Sequence, residues 1–248
     1  MRMIFRCDPA LIDRLERPVP ARAALPGWLR TMPAEAFSHV HDTDVRTVKQ
    51  CPPFVDAMSH GVVIPLPCDV TVRDGRLSWD WDLPPLSVDA HPRSPLSFHV
   101  PAQVSGTPFH HADRTVVKFN SFWTIELDEG WSLFATHPVN REDLPFRTLT
   151  GLVDADRFTD VGILFPAVWT DPGFEGVLPR GTPVCQCFPV PRAPLDLTYA
   201  PFDAAHQGRY ADTAAALLGA PGHYRKTFRA RRPRSAGEAA PEPSEVEP

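Results

Sequence analysis

The chain has 248 residues, 43% of them hydrophobic, and a net charge of −5. That is enough apolar surface for a real core, in one large or two small domains, and it excludes the broad basic face that nucleic acid requires. Its 30 prolines, more than twice the ordinary share of roughly 5%, exclude long helices and favour short strands with stiff connections.

The opening MRMIFRCDPALIDRLERP is charged throughout and lacks the apolar centre of a secretory signal. No run of 18 apolar residues follows it. A cytoplasmic protein with no membrane partner is expected, its five cysteines reduced and buried as small hydrophobes. Asp8 and Pro9 read as the N-cap and first position of a short helix through Leu15. Pro18, Pro20, Pro26 and Pro33 hold the next stretch extended, with Trp28 and Leu29 pressed onto the body. Residues 1–60 are therefore expected as an N-terminal arm and elaboration packed on a β-rich core domain of residues 61–224.

The stretch CDVTVRDGRLSWDWDL reads as a hairpin, with Asp74-Gly75 supplying the positive-φ turn between Val70-Val72 and Leu77-Trp79-Trp81. Further strands are expected at 96–100, 115–119, 122–127, 131–136, 148–153, 161–168 and 183–190. The aromatic cluster Phe119, Phe122, Trp123, Trp131 and Trp169 reads as core. One helix is expected over 202–218, where His206, Tyr210, Thr213 and Leu217 share a face. From Arg225 the basic RKTFRARRPR and the small, acidic SAGEAAPEPSEVEP have no apolar face, so residues 225–248 read as a disordered tail.

Between Gly130 and Val190 three motifs follow in a fixed order. A strand runs into the polar turn FATHPVNR, a second strand ends in GLVDAD, and after a third the turn PRG leads into TPVCQCF. Asp154 follows His137 by 17 residues, and Gln186 follows Asp154 by 32. In this order and spacing, about a quarter of the chain resembles the dUTPase and dCTP-deaminase superfamily of β-clip proteins. The resemblance implies a mostly-β fold, a β-clip-like barrel or sandwich with one or two short helices. It also implies a water-activating role for Asp154, a phosphate-binding role for the HPVNR turn and a pocket strand at Gln186. The chain departs from that pattern in three places. Thr136, His137 and Pro138 stand where the superfamily has an Arg-Ser-Gly core, Arg157 replaces the tyrosine after the second acid, and a glycine-rich closing arm is not matched. Over its whole length the chain is also similar to an uncharacterised family of bacterial and phage proteins, through CPPFVDAMSHGVVIPLPCDV and THPVNREDLPF. That likeness brings no activity with it.

A carboxylate at a strand end can take a proton from water or hold a hydroxyl, and cationic or amide side chains beside it can hold an anion. Asp154 and His137 are the candidate catalytic pair. Asn140, Arg141, Arg147, Asp156 and Gln186 would surround a small anionic, nucleotide-like ligand that brings Mg2+ with its phosphates. The plainer alternative keeps both acids as turn residues paired with Arg157 or Arg147. A reading from another class puts Fe2+ on His111 and Asp113, whose H-x-D spacing with a distal histidine suits a metal-dependent oxygenase. A third makes the chain a non-catalytic, phage-type structural or assembly protein, since β-clip modules also serve there. Self-association into a homo-oligomer fits all three.

Overall fold

A computed structural model describes residues 1–110 and 115–230. Strand β1 (Met3–Arg6) leads into a single 3-10 turn, Pro9–Leu11, where the Asp8 carboxylate accepts the Ala10 N–H at 2.9 Å. The turn relaxes soon after Leu11, so the helix expected through Leu15 is shorter than its cap suggests. Then come β2 (Val19–Pro20), α1 (Gly27–Thr31), the hairpin β3 (Glu35–Ser38) and β4 (Thr43–Arg46), and α2 (Pro52–Ser59).

The body follows as β5 (Val62–Pro65), β6 (Val70–Arg73), β7 (Arg76–Ser78), β8 (Leu96–Phe98), β9 (Val116–Asn120), β10 (Thr124–Leu127) and β11 (Trp131–Thr136). After these come β12 (Phe146–Thr148), β13 (Gly151–Val153), β14 (Leu164–Trp169), β15 (Gly176–Leu178) and β16 (Pro183–Pro191). The hairpin of β6 and β7 turns at Asp74 (φ 49°) and Gly75 (φ 70°), in the left-handed region the sequence called for. The single strand expected over 148–153 is two. β12 pairs with β14, and after Leu149 the chain crosses to another sheet, where β13 pairs with β11.

The strands form a five-stranded sheet (β13-β11-β16-β5-β2), a four-stranded sheet (β12-β14-β9-β8), a three-stranded sheet (β15-β6-β7) and two ribbons, β1-β10 and β3-β4. The protein is mostly β. Among the described residues no sheet closes on itself, so the expected barrel is not formed. The prolines supply a reason: β2 ends at Pro20 on a sheet edge, and a residue without an N–H cannot extend the ladder.

Alternation along these strands sends one face of each into a common core. Val117 and Phe119 of β9, Phe165 and Ala167 of β14, Leu133 of β11 and Cys185 of β16 are all buried there. Cys187 and Cys68 are buried too, Cys7 is half-buried and Cys51 is exposed, so burial does not extend to all five thiols. A second cluster, Leu11, Leu15, Phe122 and Trp123, ties the N-terminal segment to the turn between β9 and β10. The compact unit runs from Met1 to Leu195. A second unit begins at Asp196 and holds α3 (Ala204–Gly219), capped by the Asp203 carboxylate, and α4 (His223–Thr227). The expected start of the tail at Arg225 falls inside α4, and residues 231–248 lie outside the described residues. No helix among the described residues is long and apolar enough to cross a membrane.

Candidate functional site

The residues singled out in the sequence are well ordered by hydrogen bonds, but they do not converge. β11 and β13 are antiparallel with Leu133 opposite Val153, so Asp154 comes to Ser132, whose hydroxyl donates to it at 2.7 Å. His137 lies five residues beyond Ser132, just past the end of β11. At about 3.3 Å per residue that is roughly 16 Å away. The pocket expected to join Asp154 to the HPVNR turn is therefore not assembled. The two motifs sit at opposite ends of one strand because the strands they follow run antiparallel.

Each member has another partner. The His137 ring uses both nitrogens, one 2.9 Å from the Arg141 carbonyl and the other accepting the Thr148 N–H at 3.2 Å. Burial pushes its pKa down, the Arg147 charge adds to this, and the carbonyl bond opposes it. Such a ring braces a turn and has no lone pair left for catalysis. Asn140 sits at φ 59° and serves the turn's backbone. Arg141 grips Asp143 with two bonds, at 2.7 and 2.9 Å, and Arg147 lies 3.2 Å from Glu142. Gln186 is buried and bonded on both sides of its amide.

Asp156 and Asp154 belong to a clasp. Arg192, at the end of β16, donates to Asp156 through both terminal nitrogens and reaches Asp154 at 3.3 Å, while the Gly130 N–H donates to Asp156 at 2.9 Å. The bond from Arg192 holds the Asp156 carboxyl far below the usual carboxylate range. The two acids are paired in a turn, as the plainer alternative expects, but their partner is Arg192 and not Arg157 or Arg147. Arg192 is remote in sequence and reaches the turn only because β16 pairs with β11. His111 and Asp113 lie outside the described residues. Among the described residues no group of three metal-ligating side chains is gathered.

A cleft of about 1060 Å³ opens elsewhere, on the outer face of the β1-β10 ribbon. Arg6, Thr124 and Glu126 point into it, on the face opposite the buried Ile125 and Leu127. Arg6 and Glu126 form an ion pair across the strands. One wall is Asp8–Pro9 with Ser87, Val88 and residues 90–92, stitched together because Asp8 accepts both the N–H (2.8 Å) and the hydroxyl of Ser87. The opposite wall is the loop Phe158–Leu164, which follows the Asp154–Asp156 turn. It is pinned at its start by Ala155, whose carbonyl accepts the Leu127 N–H at 3.0 Å, and at its end by Ile163, whose carbonyl accepts the Ser121 N–H at 3.1 Å.

Ser87, His91 and Asp8 bring the residue types of a hydrolytic triad to one wall. Their bonds run otherwise. The Ser87 hydroxyl donates directly to Asp8, and the His91 Nδ1 lies 3.1 Å from the Pro92 carbonyl. The Ser87 hydroxyl, then the Ala10 and Ser87 N–H groups, lower the Asp8 pKa, which makes that carboxylate a weak base. No spacing in the sequence announced this cleft, because its residues come from five separated segments.

No protein-family model matches the chain, and it matches none of the curated proteins or solved structures either.

The shifted groups set a pH dependence. His137 has a folded pKa below its unfolded value, so the unfolded chain binds the extra proton and stability falls as pH drops through about 6.5. Asp8 and Asp156 are also lowered, and their contribution is present above about pH 4 and lost as pH falls towards their folded values. Melting temperature should therefore fall in two stages on acidification. His137→Gln should remove the first stage and Asp156→Asn part of the second. A single acid transition unchanged by either variant would refute this assignment.

Proposed function

We propose that the chain binds a small molecule with a substantial apolar body, held in the cleft between the β1-β10 ribbon and the Phe158–Leu164 loop. One observation carries this reading. Val88, Phe158, Val161 and Leu164 line the cleft while remaining 45–57% exposed, although each could bury its surface in a core. Large apolar side chains held open to water around a concavity mark a binding site, and this frame is fixed by the Arg192 clasp and the Asp8–Ser87 bonds. A binder is favoured over a hydrolase, since no nucleophile in the cleft touches an effective base. A nucleotide-like anion is less well served, because Arg141 and Arg147 are engaged by Asp143 and Glu142. Kinship with β-clip proteins rests on motif spacing and supplies no site here.

The test is titration with a neutral solvatochromic dye, Nile red, followed by fluorescence. Saturable binding at one dye per chain is expected, lost in the Phe158→Glu/Val161→Glu double variant and retained in Arg147→Gln, an exposed side chain outside the cleft lining. Absence of stoichiometric binding by the folded wild type, or loss of binding in Arg147→Gln alone, would overturn the proposal.

A further inference from the structure

We infer that the cleft selects a cationic ligand, an aromatic or aliphatic body carrying an ammonium-type head. The inference rests on the binding reading above and adds the sign of the charge. The cleft lining carries three carboxylates, Asp8, Glu126 and Asp160, against one guanidinium, Arg6. Two of the carboxylates are committed: Asp8 accepts three hydrogen bonds, and Glu126 is paired with Arg6. Asp160 is not. Among the described residues its carboxylate has only the Thr159 hydroxyl, at 3.3 Å, and it sits on the loop between Phe158 and Val161.

The His91 Nδ1 is already engaged by the Pro92 carbonyl, 3.1 Å away. Asp160 is thus the charged side chain of the lining left open to a ligand, beside apolar surface, since the Arg6 guanidinium already has its counter-ion. An anionic head would face Asp160 without a free cation to meet it. A cationic head would lie against Asp160 with its body on Phe158 and Val161, and the exposed Phe158 ring offers the charge a negative face.

Three ligands with one body and different heads separate the possibilities: 1-naphthylmethylammonium, 1-naphthylmethanol and 1-naphthoate, each titrated by calorimetry into the wild-type protein at low and moderate salt. The ammonium compound should bind about two- to fivefold more tightly than the alcohol, the span that one partly screened ion pair provides. The carboxylate should bind more weakly than the alcohol. Salt should shrink the difference. Asp160→Asn, a change at an exposed side chain, should bring the ammonium compound close to the alcohol while leaving the alcohol's affinity intact. Equal affinities for alcohol and ammonium, or a preference that survives Asp160→Asn, would overturn the charge selection and leave the apolar cleft standing. Failure of all three to bind would sink the cleft reading itself.

Discussion

Gln186→Leu should destabilise the fold by roughly 3 kcal/mol, as buried polar groups lose their partners. The side chain is 2% exposed. Its amide nitrogen donates to the Ala57 carbonyl at 3.1 Å and to the His60 carbonyl at 2.6 Å, and its oxygen accepts the Val139 N–H at 2.9 Å. One side chain thus ties the end of α2 and the HPVNR turn to β16. Leucine fills similar space but leaves the His60 carbonyl and the Val139 N–H unpaired, and leaves Ala57 with only the 3.5 Å bond from the His60 N–H. Denaturant unfolding would measure the loss, with an unchanged slope expected because the surface exposed on unfolding is the same. A loss under about 1 kcal/mol would mean that the glutamine is not a structural staple. That result would revive the ligand role its strand position suggested.

Gly162→Ala should damage both the body and the cleft. A Cβ at this position would lie 2.1 Å from the Ser121 carbonyl oxygen, an atom of backbone that has no rotamer to yield. The loop cannot lift freely, because the Ser121 N–H donates to Ile163 at 3.1 Å and Leu164 pairs with Asn120. Crowding of this kind costs about 1–3 kcal/mol. The loop carries Phe158 and Val161, so the displacement should also weaken Nile red binding by about tenfold, equivalent to about 1.4 kcal/mol. Thermal melting and dye titration measure the two effects separately. Wild-type values in both would show that the loop does not need this close approach.

Much of the architecture is legible in the sequence. The Asp74-Gly75 turn needs two left-handed residues in a row, and that requirement is local. β6 and β10 alternate in burial as half-buried strands do, in line with the period-two pattern of their side chains. The site is less legible. The acids of GLVDAD stand out in an apolar segment, yet their partner is Arg192, 36 residues beyond Asp156. His137 looked available in the sequence, and only the fold shows that both its nitrogens are taken.

The sequence by itself determined the class of structure. Proline content forbids long helices, period-two alternation makes strands, and short polar turns set hairpins, because each of these is fixed by a few consecutive residues. Only the tertiary structure decided which sheet each strand joins and which polar groups remain open to a ligand. The antiparallel pairing of β11 with β13 and β16 places Asp154 and His137 at opposite ends of a strand and delivers Arg192 to the acids. The same packing leaves the Phe158–Leu164 loop facing the outer side of the β1-β10 ribbon. The β1-β10 ribbon joins residues more than 100 apart, such as Arg6 with Glu126, and no local pattern encodes such a pairing.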